Sequence, residues 1–121
     1  MGKFVNCSNH MSGTWSEKQR DAAELYGEIV DFPFPQVACD SSDDEINRIA
    51  DETAERILQY RPAAVMCMGE FVVCFRIVEK LKAKGVKVLA SVTERNAKEE
   101  IVRGGKVVKE SLFEFQGFRE Y

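Results

Sequence analysis

Short apolar segments alternate along the chain with longer segments whose apolar residues recur every three or four positions. The short segments predict buried strands, and the longer ones predict amphipathic helices packed against them. The predicted strands cover residues 3 to 8, 28 to 34, 63 to 68 and 86 to 92. Helices are predicted between them. This alternation indicates a mainly parallel sheet with helices on both faces.

Local signals place the three helices. Ser16 with Gln19 forms one capping box and Ser42 with Glu45 forms a second, each just before an apolar-periodic stretch. The first helix presents Ala22, Ala23, Leu25 and Tyr26 on its apolar side and ends at Gly27. The third covers residues 71 to 84, and we expect it to pack Phe71, Phe75, Val78 and Leu81 on the sheet.

The C-terminal third of the chain predicts antiparallel structure. Gly104-Gly105 lies between "EEIVR" and "KVVKE", which is a strong signal for a two-residue hairpin turn. A last strand is predicted over residues 112 to 115. We therefore predict a single α/β domain over residues 1 to 121, a Rossmann-like three-layer sandwich with a C-terminal β-hairpin.

Composition favours a cytoplasmic protein without metal or cofactor. The longest apolar run, residues 71 to 75, is far too short to cross a bilayer, and the N-terminus lacks a basic region followed by an apolar one. Four cysteines without C-x-x-C spacing and a single histidine do not fit the common zinc patterns. We expect four reduced thiols, no metal site and no membrane contact.

Charge is distributed unevenly. Residues 40 to 55 carry seven acids and one base, while residues 80 to 109 carry nine bases and three acids. A basic second half suits a phosphate-rich ligand, although most such runs are solvated faces. The acidic second helix is expected to point away from any anionic ligand.

Polar residues follow three of the predicted strands directly. They are Ser8, Asn9 and His10 after the first strand, Gly69 and Glu70 after the third, and Thr93, Glu94 and Arg95 after the fourth. In open α/β sheets ligands bind beyond the carboxyl ends of the strands, where the strand order reverses. Gly69 would let backbone approach a ligand, and the next helix start would offer free N–H groups to a phosphate. His10 is either a general acid or base or a phosphate donor, or only a loop residue.

A resemblance adds to this picture. The stretches "MGEFVVCFRIVEKLKAKGVKVLASVTERNAKEE" and "GGKVVKESLFEFQGFREY" resemble the C-terminal half of small CARF-like (CRISPR-associated Rossmann fold) proteins of type III CRISPR systems. At the N-terminus, "SNH" and "WSEKQ" are similar to the corresponding motifs. Glu94 departs from the lysine expected between Thr93 and Arg95. The residues that carry the pattern are Gly69, Glu70, Phe71, Thr93, Arg95, Gly105, Val107, Val108, Lys109, Phe118, Arg119 and Tyr121.

The resemblance implies a homodimer that binds a cyclic oligoadenylate, with cyclic tetra-adenylate as the expected ring, in antiviral defence. Long nucleic acid is not implied as a partner. It further implies a metal-independent ring nuclease in which His10 and Asn9 act at the scissile phosphate. The ligand-binding residues would be Ser8, Gly69, Glu70, Phe71, Thr93, Arg95, Lys106 and Lys109.

Two other interpretations stay open. The chain could bind the same nucleotide without cleaving it, which would involve the same binding residues. Alternatively, it is an unrelated small α/β domain whose basic hairpin and aromatic tail form a protein interface. Trp15 is open in the same way, since it either packs at the helix entry or stacks on an adenine.

Overall fold

The computed structural model of the chain describes residues 2–121, with side chains described at 2–95, 104–105 and 113–121. Strands and helices alternate as far as the fourth strand, as predicted. In chain order the elements are β1 (Lys3–Ser8), a 3₁₀ turn (Ser12–Thr14), α1 (Glu17–Glu24), β2 (Ile29–Pro33), α2 (Asp43–Leu58), β3 (Pro62–Cys67), α3 (Phe71–Ala83), β4 (Val88–Arg103) and β5 (Lys106–Glu120).

The strands form one five-stranded sheet in the order β2-β1-β3-β4-β5. β1 pairs in parallel with both β2 and β3, and β3 pairs in parallel with β4. β5 runs antiparallel to β4. The predicted α/β fold with a mainly parallel sheet and a C-terminal hairpin is therefore confirmed, and the order reverses between β1 and β3.

Alternate residues of the strands build a core on each face of the sheet. Val5, Cys7 and Val65 face α2 and α3, where they join Ile57 and Leu81. Phe4, Ala64, Met66 and Leu89 belong to the opposite core, with Trp15 and Ala23 from the α1 side. Helices cover both faces of the sheet, which gives the three layers of a Rossmann-like sandwich.

Both predicted capping residues start their helices. The Ser16 hydroxyl accepts from Gln19 N, and the Ser42 hydroxyl accepts from Glu45 N, each at 3.2 Å. The second helix buries Ala50, Thr53, Ala54 and Ile57. The Asp51 carboxylate of α2 pairs with Lys80 of α3.

Two apolar assignments were wrong. Leu25 is 88% exposed because α1 ends at Glu24, so Leu25 follows the helix in a turn. Phe71 and Phe75 are 90% and 65% exposed. The stripe of α3 that faces the sheet runs through Val73, Cys74, Ile77, Val78 and Leu81, and this rotation turns the two phenylalanines toward solvent.

The C-terminal strands are much longer than predicted. The segment assigned to residues 86 to 92, the hairpin and the strand at 112 to 115 form one hairpin of β4 and β5, paired from Leu89↔Glu120 to Arg103↔Lys106. The turn itself is confirmed, since Gly104 and Gly105 have φ of 56° and 79°, as a type I′ turn requires.

Within the part of the chain that the structure describes, no helix combines the length and the apolar character needed to span a lipid bilayer.

Candidate functional site at the sheet switch point

The carboxyl ends of β1 and β3 border a cavity of about 670 Å³. It lies at the position where the strand order reverses, which is where ligands bind in sheets of this type. Its volume is in the range of small-molecule pockets. The lining residues are Ser8, Asn9, His10, Thr14, Trp15, Ser16, Gln19, Met66, Met68, Gly69, Ser91, Thr93, Phe113 and Phe115.

The backbone of His10 is held just beyond the carboxyl end of β1 by hydrogen bonds to its carbonyl oxygen. That oxygen accepts from Asn6 Nδ2 at 2.8 Å, from Ser8 Oγ at 3.1 Å and from Trp15 Nε1 at 3.1 Å. The His10 N–H donates to Ser8 Oγ at 3.2 Å. The backbone of His10 is therefore fixed, whereas its imidazole is exposed at the cavity.

A buried amide lies beneath this loop. Asn6 is fully buried in β1, where its Nδ2 also donates to Asp31 Oδ1 at 2.9 Å and its Oδ1 accepts from Ser8 Oγ at 2.7 Å. Asp31 in turn accepts from the Ser12 N–H and hydroxyl at 3.0 and 2.9 Å. Burial raises the pKa of Asp31, but the hydrogen bonds from Asn6 and Ser12 outweigh it and hold the pKa below its usual 3.8.

The wall opposite His10 is apolar and rich in sulfur and aromatic rings. Met66 and Phe115 are almost completely buried, whereas Phe113 is 67% exposed. Met68 Sδ accepts from the Ser91 hydroxyl at 3.1 Å, which ties the end of β3 to β4. The lining thus pairs a polar edge, with exposed Asn9 and His10, with a surface that suits a flat apolar group.

The predicted site residues divide into two sets. Ser8, Asn9, His10, Gly69 and Thr93 line the cavity. Ser8 is 1% exposed and its hydroxyl bonds to Asn6 and His10, so its role here is to hold the loop. Glu70, Phe71 and Arg95 are not among the lining residues, and the side chains of Lys106 and Lys109 lie outside the described residues.

The start of α3 does not offer the free N–H groups that the sequence predicted. Glu70 caps the helix itself, with its carboxylate accepting from Val72 N at 3.2 Å and Val73 N at 2.7 Å. A carboxylate at a helix N-terminus already satisfies the donors and the dipole that would attract a phosphate. In this conformation, the Glu70 carboxylate occupies two of the N–H groups that the sequence assigned to a phosphate.

Gly69 serves packing in this conformation. A Cβ on Gly69 would lie 2.5 Å from ring atoms of Phe34, the residue just after β2. The ring of Phe34 is 6% exposed and closes the core over this turn. The glycine is thus explained by the approach of a side chain rather than of a ligand.

Thr93, Glu94 and Arg95 do not follow a strand, because they lie inside β4. A register shift between Val92 and Thr93 precedes them, and Thr93 pairs with Phe115. Thr93 faces the cavity. The guanidinium of Arg95 lies 5.8 Å from the ring centre of Phe113, which itself lines the cavity, so Arg95 stands at the rim.

Several of the lining residues were not predicted from the sequence as site residues. Gln19 was predicted only as part of a capping box, but its Nε2 lies 3.9 Å from Met66 Sδ at the cavity wall. Phe113 and Phe115 reach the site because β5 folds back along β4. A full hairpin register, alternating inward and outward, would have identified both phenylalanines as neighbours of Thr93.

The side chains that line the cavity carry almost no charge. His10 is the one titratable side chain among the lining residues identified above. Over the residues with described side chains, no group of three His, Cys, Asp or Glu is arranged to hold a metal ion. As described, the cavity can hydrogen-bond a ligand and stack on it, and His10 can exchange a proton with it.

The whole chain was also compared with known protein families. A family model matches residues 2–119. The chain belongs to the uncharacterized protein MJ1673 family. The match spans both halves of the cavity, from the β1 loop to β5, so the site lies wholly inside the region that defines the family. No match was found among curated proteins or solved structures.

Proposed function

We propose that the switch-point cavity binds an adenine nucleotide, and that its ligand is a cyclic oligoadenylate. One observation carries the proposal: exposed Asn9 and His10 face the same cavity as Trp15, Met68 and Phe113. A nucleotide presents a flat base and a polar sugar-phosphate side by side. The lining has a matching surface for each.

The apolar wall supports binding of the base. Stacking of a base on an aromatic side chain contributes about 1–3 kcal/mol. Phe113 is exposed and lines the cavity, so its ring is available for such contact. Trp15 is 7% exposed and packs edge-on against Phe4 at 6.3 Å, so it forms the back of the site.

The polar edge supports binding of ribose and phosphate. Asn9 donates and accepts through its amide, and Ser91 and Thr93 offer hydroxyl groups on the β4 side. Arg95 supplies a cation at the rim, where its guanidinium lies 5.8 Å from the ring centre of Phe113. The phosphate would therefore lie at the mouth of the cavity and the base inside it.

Cleavage in this scheme needs no metal. The ligand's own 2′-hydroxyl attacks the adjacent phosphorus, a bond to that oxygen forms, and the bond to the 5′-oxygen breaks. The product is a linear strand with a cyclic phosphate at one end and a 5′-hydroxyl at the other. His10 would accept the 2′-proton or donate one to the leaving oxygen, while Asn9 steadies the charged phosphate oxygens.

Binding without cleavage is the second candidate, and the site gives it a specific basis. His10 is the single titratable lining residue, so proton removal and proton donation have no second described group to share them. A protein with one such group could hold the ring intact.

A protein-interaction role is the third candidate. It draws on Phe71 and Phe75, which lie one turn apart on α3 and are 90% and 65% exposed. This surface does not belong to the cavity lining.

The size of the cavity bears on how many protein chains bind one ring. A volume of about 670 Å³ suits a drug-sized ligand, and a ring of four nucleotides is larger than that. Two copies of the chain would each take part of a two-fold symmetric ring. A homodimer is accordingly part of the proposal.

The test is incubation of the protein with cyclic tri-, tetra- or hexa-adenylate in EDTA, followed by separation of the products. We expect linear fragments from one of the three rings. His10→Ala should reduce the cleavage rate by about a hundred-fold or more and still bind that ring. Asn47→Ala, at an exposed position of α2, is the matched control and should cleave normally. Binding without products would favour the second candidate, and no binding to any ring would overturn both nucleotide proposals.

A further inference from the structure

Three of the four cysteines meet in the core between the sheet and α3, away from the cavity. Cys7 of β1 and Cys67 of β3 are register partners in neighbouring strands. Cys74 of α3 lies over them, with its Sγ 3.7 Å from Cys67 Sγ. Cys39 is exposed in the loop before α2.

The two closest thiols differ in access. Cys67 and Cys7 are completely buried, whereas Cys74 is 8% exposed. Tyr121 lies beside them from the end of the chain, since its hydroxyl donates to Cys67 O at 2.7 Å and lies 3.9 Å from Cys74 Sγ. Cys74 is therefore the least buried of the three thiols.

The surroundings also favour the thiolate of Cys74. The hydrogen-bonded contact with Cys67 lowers the pKa of Cys74 to about 7, with smaller contributions from Tyr121 and the Gly69 backbone, while burial and the charge of Glu70 oppose it. In the thiol form, Cys74 Sγ donates to Cys67 O at 3.4 Å. Cys74 is in the first turn of α3, where the helix dipole favours a negative charge. Hydrogen bonding to Cys7 and Cys74 together with burial raises the pKa of Cys67, so this thiol stays protonated.

From this geometry we propose that Cys74 and Cys67 form a peroxide-reactive dithiol that closes to an intramolecular disulfide. Cys74 attacks one oxygen of hydrogen peroxide, the O–O bond breaks, and Cys74 becomes a sulfenic acid with release of water. The Cys67 sulfur then attacks the Cys74 sulfur as its proton passes to the sulfenic oxygen. The S–O bond breaks, an S–S bond forms and the oxygen leaves as a second water. Two thiols and one peroxide give one disulfide and two waters.

Formation of this disulfide would join the end of β3 to the start of α3. It requires the two sulfur atoms to approach from 3.7 Å to a bond of about 2.05 Å. Cys67 ends β3 and immediately precedes Met68, while Cys74 lies in the first turn of α3. The bond would link the strand to the helix across the turn that contains Gly69. The inference is independent of the ligand, because neither cysteine lines the cavity.

The test uses the Cys39→Ser variant, because this substitution removes the exposed thiol as a competing reactant. The variant is treated with hydrogen peroxide. The products are blocked with N-ethylmaleimide and digested with trypsin. Cleavage after lysine and arginine, but not between Arg61 and Pro62, leaves Cys67 and Cys74 together in residues 57–76 and Cys7 in residues 4–18. We expect loss of two of the three thiols, with peptide 57–76 unblocked and lighter by two hydrogen atoms than its reduced form.

Two variants in the same background sharpen the result. Cys67→Ser should leave a sulfenic acid on Cys74 that dimedone traps, because the resolving thiol is gone. Cys7→Ser should still form the disulfide, and circular dichroism checks that both variants fold. A disulfide joining peptides 4–18 and 57–76, or a Cys74 that resists peroxide in the folded protein, would overturn the proposal.

Discussion

Asn6 Nδ2 donates to the carbonyl oxygen of His10 at 2.8 Å, although Asn6 is fully buried in β1 and His10 stands exposed beyond its end. A buried amide is thus used to fix an exposed loop. The same amide bonds to Asp31 of the neighbouring strand β2. The position of His10 therefore depends in part on Asn6, which is not among the cavity-lining residues.

Replacing Asn6 should cost stability. Asn6→Ala removes the hydrogen bonds to His10 O, to Asp31 and from the buried Ser8 hydroxyl, and each such bond contributes about 0.5–1.5 kcal/mol. We expect the free energy of unfolding to fall by about 2–3 kcal/mol in urea titrations. Asn9→Ala, at an exposed neighbouring position, is the control and should change it by less than about 0.5 kcal/mol. Equal, small effects at both positions would show that the buried network does not stabilise the fold.

Asp31 should make stability depend on acid pH. Its folded-state pKa is below 3.8, so the ionised form is stabilised by folding. That contribution is complete above the unfolded-state pKa and disappears as the pH falls through the folded-state value. We expect Asp31→Asn to be less stable than the wild type at pH 7, with the difference shrinking as the pH drops below 4. A difference that stays constant from pH 7 to pH 2.5 would contradict the assigned role.

Glu70 should matter for the helix and not for the ligand. Glu70→Ala removes the cap that accepts from Val72 and Val73, and loss of an N-cap costs about 1 kcal/mol. The melting temperature should drop while affinity for a cavity ligand stays the same or rises. Glu79→Ala, exposed later in α3, is the control for general helix effects. A ten-fold loss of affinity in Glu70→Ala would restore the ligand role predicted from the sequence.

Substitution of Gly69 should show whether this residue is needed for the close approach of the Phe34 ring. Gly69→Ala would place a methyl group 2.5 Å from the Phe34 ring, and such overpacking costs about 1–3 kcal/mol. Phe34→Leu should by itself destabilise the core. We expect the double variant to be more stable than the sum of the two single effects predicts, since the smaller side chain makes room for the methyl group. Simple additivity in thermal unfolding would show that the two residues do not compete for space.

Local sequence patterns predicted most of the fold. Ser16 and Ser42 begin helices because their hydroxyls accept from the N–H three residues on, a contact that short segments specify by themselves. The apolar strands and the Gly104-Gly105 turn are local features of the same kind. Phe71 and Phe75 were misassigned because helix periodicity defines an apolar stripe but not which part of it the sheet covers.

The candidate site was predicted only in part, for a related physical reason. The loop after β1 and the turn after β3 meet because parallel strands end on the same edge of the sheet, and this follows from chain order. Phe113 and Phe115 reach the cavity through the long-range pairing of β4 and β5, which no local pattern specifies. The competition between Glu70 and a ligand for the start of α3 likewise appears only when the carboxylate is seen at 2.7 Å from Val73 N.

Calorimetric titration of cyclic tetra-adenylate tests most directly whether the switch-point cavity binds the nucleotide. Two exposed phenylalanines give a matched pair: Phe113 lines the cavity, and Phe71 does not. We predict that the wild type and Phe71→Ala bind with equal affinity, while Phe113→Ala binds at least ten-fold more weakly because it loses a stacking surface. Equal affinity in all three proteins, or loss only in Phe71→Ala, would contradict the assignment of the cavity.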